Sequence, residues 1–440
     1  MRVKIENPTN ACISIESEQG KILIDPWLED GIYDETWHNF PRVSDAQKKR
    51  LLQDVSLCLI THLHKDHFNI ATLKKLPRDT KIIFVKTFGW QVIKFSLLAE
   101  GFSNLTLLDV NESLDNELGF KISAVQPINT SGLYTQADAN SMSIDAGYVI
   151  ESNTSKLKLI FLGDNNIYNT ELVKQNLHLL KEPDLIAFAY SGFASDYPFN
   201  YNYTDKEKID ICNELEESRF NQQSKNLKLI KPKMVLPYSS EFVAVGEAAS
   251  DWTNIFKQIY TNNKEDVGRK YANALGCDFE TLYPEEFLVY EGRDKLASNK
   301  SYDRSNLLQD MIAYQGSIAL KTNTEKVEIS DSLLEISAQN CFDGVKKNSL
   351  DPDLSINIFS DDRFLATLDF KKNKLIKESP AEGSYLNIYI QSEMLNRILK
   401  RDFHWDDACL SLKMKWERCP NIFDMDTHNA LTYFTAPIHR

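Results

Sequence analysis

The segment Thr61–His67 constrains this chain most, because it places three imidazoles and one carboxylate within six positions. It follows an apolar run over Val55–Ile60, and a short run of this kind predicts a buried strand. The ligand-type residues then lie where the strand ends and a loop begins; they are His62, His64, Asp66 and His67. Imidazole and carboxylate groups together suit zinc, iron or manganese, so the segment predicts a metal site.

The spacing within this segment indicates how the side chains would share ions. His62 and His64 are two positions apart, so in extended backbone they point the same way and can bind one ion. Asp66 and His67 follow the turn and can reach a second ion beside the first. A chance cluster of surface histidines is the other interpretation, but the spacing and the preceding strand favour a functional motif.

The pattern His-x-His-x-Asp-His after a strand resembles the signature of the metallo-β-lactamase superfamily. Two other segments occur in the order typical of that superfamily: Gly20–Trp27, which contains Asp-Pro-Trp, and Leu159–Asp164. The resemblance implies an α+β fold, a metallo-β-lactamase-like αββα sandwich in which two sheets lie between helices and the metals lie at one edge. It also implies that Asp164 bridges two ions, since each carboxylate oxygen can bind one cation.

The usual two-zinc site of this superfamily has two further histidine ligands, and this sequence lacks both. No histidine occurs between His67 and Asp164, and Asn129 or Thr130 lies near the first expected position. Ser239 lies near the second, after the segment Met234–Pro237. Hydroxyl and amide groups bind transition metals more weakly than imidazole does. The site therefore holds one ion, or takes a ligand from elsewhere in the chain, or suits a different metal.

Several short segments resemble the metallo-β-lactamase-like part of the CMP-N-acetylneuraminate hydroxylase family, and together they extend over residues 20–434. Among them are His62–His67, Pro237–Val243, Trp405–Ser411 and Arg418–Phe423. That family carries a Rieske-type iron–sulfur module, which requires Cys-x-His and Cys-x-x-His pairs that this sequence does not contain. Hydroxylation would therefore need electrons from a separate Rieske-type or other electron-transfer protein.

Three functions are compatible with these patterns. The first is hydroxylation of a nucleotide-sugar or related anionic metabolite by a non-haem iron oxygenase. The second is hydrolysis of a phosphoester or lactone by metal-activated water, with Asp66 or Asp164 accepting the proton. The third is a degenerate, non-catalytic member that only binds a ligand. The predicted cofactor is one or two transition-metal ions, iron or zinc, and the predicted metal ligands are His62, His64, Asp66, His67 and Asp164.

Six residues are weaker candidates for binding a small anionic substrate: Trp27, His38, Asn129, Tyr190, Tyr238 and Ser239. Trp27 and His38 are included because the Asp-Pro-Trp loop lies near the metals in the resembling fold, although ordinary packing explains a tryptophan equally well. The two tyrosines are candidates to orient a substrate or donate a proton. Asn129 and Ser239 are included because they lie near the positions expected for the missing imidazoles.

The length of 440 residues allows two domains. The polar stretch Ala297–Ser301 predicts a boundary, with a metal-binding catalytic domain over residues 1–300 and an α+β module over residues 301–440. In the second part, alternation of apolar and polar residues over Leu354–Phe359 and Leu410–Trp416 predicts strands. This pattern resembles a sterol-carrier-like lipid-binding fold.

Composition excludes several classes of protein. A formal net charge of −13 argues against nucleic-acid binding, which needs a basic face. No run of about 18 apolar residues occurs, so the sequence predicts no membrane span. The seven cysteines include no Cys-x-x-Cys pair and the first residues lack an apolar signal core, which together predict a cytoplasmic protein.

Overall fold

The computed structural model describes residues 1–128, 144–190, 197–239, 241–246, 253–255, 258, 263–319 and 326–436. Strands up to the middle of the chain are β1 Arg2–Thr9, β2 Cys12–Ser17, β3 Gly20–Ile24, β4 Trp37–Asn39, β5 Val55–Ile60, β6 Lys81–Val85, β7 Leu105–Leu108, β8 Ser113–Asp115, β9 Phe120–Val125, β10 Gly147–Ser152, β11 Lys158–Phe161, β12 Leu185–Ala189, β13 Met234–Tyr238 and β14 Phe242–Ala244. The later strands are β15 Asp278–Phe279, β16 Phe287–Glu291, β17 Asp294–Asn299, β18 Ser355–Ser360, β19 Arg363–Asp369, β20 Lys374–Ile376, β21 Tyr385–Ile390 and β22 Met414–Cys419.

Helical segments alternate with these strands. They are α1 Ile32–Glu35, α2 Asp45–Leu52, α3 Ile70–Leu73, α4 Trp90–Ala99, α5 Thr170–Gln175, α6 Leu177–Leu180, α7 Asp205–Ile230, α8 Lys264–Leu275, α9 Leu307–Ser317, α10 Asp331–Lys347, α11 Ser392–Leu399, α12 Trp405–Leu410 and α13 Met425–Leu431. The longest helix, α7, begins with a capping box. The Thr204 side chain accepts from the Glu207 backbone N–H, and the Glu207 side chain accepts from the Thr204 backbone N–H.

Two large sheets form the N-terminal part. One has eight strands in the order β17-β16-β1-β2-β3-β5-β6-β7, and the other has seven in the order β15-β13-β12-β11-β10-β9-β8. Apolar residues of both sheets, such as Ile24 and Leu59 from the first and Tyr148 and Leu159 from the second, belong to one buried cluster. The sheets therefore pack face to face, as expected for two apolar surfaces that must be removed from water.

Helices cover the outer faces of both sheets. Residues of α2, α3 and α4 pack with the outer face of the eight-stranded sheet. Residues of α5, α6, α7 and α8 pack with the outer face of the seven-stranded sheet. The layers are thus helix, sheet, sheet and helix, and the predicted αββα sandwich is confirmed.

Residues 326–436, called the C-terminal module below, contain a five-stranded sheet in the order β20-β19-β18-β21-β22. Helices α10, α11, α12 and α13 pack with it in one apolar cluster. The strand predicted over Leu410–Trp416 is wrong in its first half, because α12 ends at Leu410 and β22 begins only at Met414. Leu412 lies between them with a φ of 57°, a left-handed conformation that breaks an extended chain.

Helix α9 packs with the N-terminal part, since Leu307 and Met311 share a buried cluster with Trp37 and Phe242. The predicted division at residue 300 and the sterol-carrier resemblance stay predictions. Within the described residues, every helix is too short or too polar to cross a membrane.

Candidate metal centre

The candidate centre lies at one end of the sandwich. Strands β3 and β5 run parallel in one sheet, and β11, β12 and β13 run parallel in the other, so their carboxyl ends meet at the same edge. The loops after these strands carry Asp25, His62 to His67, Asp164 and Ser239, while Asp145 lies two residues before the start of β10. Side chains from four strand ends and one strand start therefore converge on one space.

One group consists of His62, His64 and Asp145. His62 Nε2 lies 3.0 Å from His64 Nδ1 and 3.6 Å from Asp145 Oδ1. Ligand atoms about 2.1 Å from one ion, at angles of about 90–110°, lie roughly 3.0–3.4 Å from each other. These two distances are therefore close to the spacing that a transition-metal ion requires, and the ligand atoms of the three residues all lie within 4.8 Å of one another.

A second group contains His67, Asp66 and Asp164. His67 Nε2 lies 3.4 Å from Asp66 Oδ2 and 3.4 Å from Asp164 Oδ2. Asp164 Oδ2 is also 3.9 Å from His62 Nε2, so this carboxylate lies between the two groups. Its other oxygen accepts a hydrogen bond from Ser239 Oγ at 3.1 Å. The predicted ligands are thus brought together, and Ser239 contacts a ligand-type carboxylate.

The nitrogens on the far side of His62 and His67 are held by one buried network. His62 Nδ1 lies 3.0 Å from Thr61 Oγ1, and His67 Nδ1 donates to Asp25 Oδ2 at 2.8 Å. Thr61 Oγ1 donates to the same Asp25 oxygen at 2.6 Å. This arrangement fixes both rings and leaves each Nε2 directed into the common space, as is typical of metal-ligating histidines.

His64 is held in the same manner from the C-terminal module. Its Nε2 lies 2.9 Å from Asp406 Oδ2, at the start of α12, while its Nδ1 faces His62. Asp66 is held by Tyr33, whose hydroxyl donates to Asp66 Oδ1 at 2.7 Å. Each ligand-type side chain of the motif therefore has a partner that orients it.

The carboxylates in this space carry negative charge that a bound cation would balance. Five carboxylates, those of Asp25, Asp66, Asp145, Asp164 and Asp406, lie around three imidazoles. Burial alone would lower the pKa of His67, but the charges of Asp164, Asp66 and Asp25 raise the pKa well above its ordinary value. A bound cation would balance these carboxylates in place of protons.

Burial and neighbouring charges also shift the pKa values of the other motif residues, His62, His64 and Asp66. Burial would raise the pKa of Asp66, but His67 lowers it to about 2. Burial lowers the pKa of His62 well below its ordinary value, so this ring is neutral and its Nε2 can donate a lone pair. Burial would lower the pKa of His64, yet Asp406 raises it to about 10.

The residues present fit a metal ion. His67 Nε2 is buried and makes no hydrogen bond of good geometry with any described residue. A buried polar atom without such a bond is costly, and an ion ligand at this position would satisfy it. The donor atoms are imidazole nitrogens and carboxylate oxygens, the set that first-row transition metals prefer.

The other predicted site residues lie in varied surroundings. Trp27 is fully buried, and its indole N–H donates to Glu29 O at 2.7 Å, which is a packing position. His38 lies on β4, and Tyr190 packs with the apolar cluster beneath α7 and α8. Tyr238 is fully buried, and its hydroxyl accepts from the Gly163 N–H at 2.5 Å, next to Asp164. Asn129 lies outside the described residues.

Sequence reasoning missed several residues of this centre. Asp145 follows a segment with no histidine, and its place two residues before a buried strand was the available signal. Asp25 was visible in the Asp-Pro-Trp segment, but its contact with His67 depends on the pairing of β3 with β5. Asp406 lies in the family-like segment Trp405–Ser411, but that likeness did not indicate a contact with the motif, and no signal pointed to Tyr33. Only tertiary packing brings these two residues to the motif.

Comparisons with known proteins identify the family of this chain and some of its relatives. A family model described as a β-lactamase superfamily domain matches residues 4–239. A cytidine monophosphate-N-acetylneuraminic acid hydroxylase from Danio rerio is 22% identical over 245 residues, covering 53% of this chain and 37% of that protein. The protein of the same name from Gorilla gorilla gorilla is 21% identical over 453 residues, covering 96% of this chain and 69% of that protein.

Solved structures show more distant likeness. Igni18, a metallo hydrolase from Ignicoccus hospitalis, is 16% identical with a TM-score of 0.42, covering 66% of this chain and 99% of that one. CmlA, a diiron β-hydroxylase from Streptomyces venezuelae, is 17% identical with a TM-score of 0.42, covering 64% of this chain and 53% of that one. The family match over more than half of the chain, the sandwich of two sheets and the intact motif show that the chain belongs to the metallo-β-lactamase superfamily.

Proposed function

We propose that this chain is a non-haem iron oxygenase that hydroxylates a nucleotide-sugar or a related anionic metabolite, with electrons from a separate protein. The observation that carries the proposal is the ligand set, in which three imidazoles and three carboxylates converge: His62, His64, His67, Asp66, Asp145 and Asp164. Two imidazoles and one carboxylate with open positions are typical of iron(II) oxygenases. Zinc hydrolases of this fold use more imidazole, and near the positions expected for two such imidazoles the sequence has Asn129 or Thr130 and Ser239.

The proposed ligands divide into two sets. His62, His64 and Asp145 would hold one iron ion. His67 and Asp66 would hold a second, and Asp164 is near enough to both groups to bridge them. When bound, iron supplies the activation of molecular oxygen. The chain's own contribution is to orient the ligands through Thr61, Asp25 and Tyr33. The carboxyl groups of Asp66 and Asp164 are the candidates to pass on the protons that the reaction consumes.

The reaction determines which partner is needed. One atom of O₂ enters a C–H bond to give an alcohol, and the other leaves as water. This balance consumes two electrons and two protons for each turnover. The sequence contains no Cys-x-His or Cys-x-x-His pair for a Rieske cluster, so the donor we propose is a separate Rieske-type or other electron-transfer protein.

The relatives suggest the substrate class. Two proteins that match over nearly the whole chain, from Gorilla gorilla gorilla and Pan troglodytes, are named as hydroxylases of cytidine monophosphate-N-acetylneuraminic acid, an anionic nucleotide-sugar. At 21% identity, a related nucleotide-sugar is as suitable a first probe as that compound itself. Lys65 lies beside the ligands with its side chain 38% exposed, and its Nζ pairs with Asp407, which an anionic substrate could replace.

The test begins with the protein purified from its own host without added metal. We expect iron in the metal analysis, and oxygen uptake when a ferredoxin with its reductase and the cytidine nucleotide-sugar are supplied together. Isotopically heavy O₂ should place one labelled atom in the product. The variant His64→Ala should retain less iron and show less oxygen uptake, whereas a variant at an exposed histidine on α6, His178→Ala, should match the wild type in both.

Other outcomes would contradict the proposal. Zinc as the only metal, without oxygen uptake, would exclude the oxygenase. Turnover of a phosphodiester or lactone without any reductant would identify a metal-dependent hydrolase. Absence of metal from the wild-type protein, with nucleotide-sugar still bound, would identify a non-catalytic binding protein.

A further inference from the structure

The C-terminal module reaches the candidate metal centre through two adjacent carboxylates of helix α12. Asp406 Oδ2 lies 2.9 Å from His64 Nε2, and Asp407 Oδ2 lies 2.8 Å from Lys65 Nζ. Asp406 is separated from His64 by 342 positions in the sequence. Two neighbouring aspartates therefore make different contacts, one with a ligand-type imidazole and one with a lysine.

Helix α12 packs against the rest of the C-terminal module. Trp405 and Ala408 are buried, and the Trp405 indole N–H donates to Phe434 O at 3.1 Å. The backbone N–H of Asp406 donates to His404 Nδ1 at 3.2 Å, which caps the helix. The Asp406 side chain therefore projects from a rigid element, so its position depends on where the module lies.

Three further contacts hold this module against the N-terminal part. The Trp37 indole N–H donates to Leu410 O at 2.8 Å, close to the end of α12. Asp34 pairs with Arg397 at 2.9 Å and with Lys413 at 2.6 Å. Asp34 is the next residue after Tyr33, whose hydroxyl donates to Asp66. The contacts that hold the C-terminal module in place therefore adjoin the hydrogen bond that orients Asp66.

We propose that Asp406 is a positioning residue of the metal centre. By accepting the hydrogen from His64 Nε2, its carboxylate keeps the proton on that nitrogen and leaves the Nδ1 lone pair directed toward His62 and the ion. A carboxylate bound to the outer nitrogen of a ligating histidine orients the ring and increases its basicity. The C-terminal module thereby completes a centre whose ligands all lie in the N-terminal part.

Asp406 acts in this way only if the centre binds an ion, so the inference rests on the proposed function. It does not depend on hydroxylation, because a hydrolase would use the same ligands. The readout is therefore metal binding. Wild-type protein that binds no metal would overturn the proposed function directly. If the wild-type protein binds metal and Asp406→Asn binds it with the same affinity, only this inference is overturned.

The experiment compares Asp406→Asn with Asp407→Asn in the full chain. Both variants remove one carboxylate charge from the same helix, but only the first removes a contact with His64. Metal-free protein is titrated with Co²⁺ against a chromophoric chelator, and the visible absorption of the bound Co²⁺ is recorded. We expect Asp406→Asn to bind about 10- to 100-fold more weakly with an altered spectrum. Asp407→Asn should match the wild type, and Asp406→Glu should recover part of the affinity.

A second measurement separates positioning from folding. If Asp406 acts through His64, then Asp406→Asn should have no further effect on Co²⁺ affinity in a His64→Ala background. Thermal unfolding of the metal-free proteins shows whether the module is still folded. Equal affinity and spectrum in Asp406→Asn and the wild type would overturn the inference. So would an equal loss in both aspartate variants, because that would indicate a general effect of docking.

Discussion

His67 Nδ1 lies 2.8 Å from Asp25 Oδ2 at one end of the sandwich, and both side chains are out of contact with solvent. Thr61 Oγ1 donates to the same oxygen, and the Thr61 backbone N–H donates to Asp25 Oδ1 at 2.8 Å. One carboxylate therefore accepts three hydrogen bonds and controls the orientation of His67 directly and of His62 through Thr61.

The variant Asp25→Asn should weaken metal binding by about 10- to 100-fold. An amide nitrogen facing His67 would require Nδ1 to accept a hydrogen bond, so the proton would move to Nε2 and block the lone pair needed by the ion. The measurement is competition with a chromophoric chelator. Asp54→Asn is the matched control, since Asp54 also has a positive φ but is exposed, and it should bind like the wild type. Wild-type affinity in Asp25→Asn would exclude this orienting role.

The variant Asp145→His should shift metal preference from iron toward zinc. It would place a third imidazole beside His62 Nε2, which is 3.6 Å from the present carboxylate, and three imidazoles are typical of catalytic zinc sites. The zinc-to-iron ratio after growth in a medium containing both metals is the measurement. Asp145→Glu, which keeps the carboxylate, should retain iron. An unchanged ratio in Asp145→His would show that Asp145 does not bind the ion.

The variant Tyr33→Phe should lower the free energy of unfolding of the metal-free protein by about 1–2 kcal/mol. It removes the hydrogen bond to Asp66 at 2.7 Å and leaves the Lys65 N–H, 3.1 Å from the same hydroxyl, without that acceptor. Urea unfolding measures the change. Tyr203→Phe is the comparison, since the Tyr203 hydroxyl donates to the exposed Asn421 and its loss should cost less. Equal losses of unfolding free energy in Tyr33→Phe and Tyr203→Phe would contradict the stabilising role of the Tyr33 hydrogen bond.

His428 should make the C-terminal module less stable in mild acid. Burial, together with the charge of Arg418, lowers the pKa of His428 to about 4, and the ring stacks on Trp416 with centroids 4.8 Å apart. Between pH 6.5 and 4 the unfolded chain binds a proton that the folded one does not, so stability falls as pH falls through this window. The loss would reach at most about 3 kcal/mol.

This pH effect is measured by comparing metal-free wild type with His428→Gln at pH 7 and at pH 4.5. The motif histidines titrate in both proteins, so the difference between them isolates His428. The variant should lose less stability on acidification than the wild type does. The same pH dependence in both proteins would show that His428 does not contribute.

Local features of the candidate centre were predictable, because they depend on neighbours in the sequence. The strand Val55–Ile60 and the ligand-type residues after it lie as predicted, since an apolar run followed by polar residues places those residues at a sheet edge. Asp164 follows β11 at the same edge. The strand predicted over Leu410–Trp416 was wrong in part, because alternation cannot reveal the left-handed residue Leu412 that divides it.

By itself, the sequence determined the motif and its position after a strand, since these follow from an apolar run and from a pattern confined to a few adjacent residues. The sandwich of two sheets was implied by the resemblance of these segments to a known superfamily. Only the tertiary structure decided which distant groups complete the centre. Asp145, Asp25 and Asp406 reach the motif through strand pairing and module docking, and those contacts depend on packing between segments far apart in the chain. Such contacts cannot be predicted from neighbouring residues in the sequence, because hydrophobic packing is non-directional and does not specify which individual residues meet.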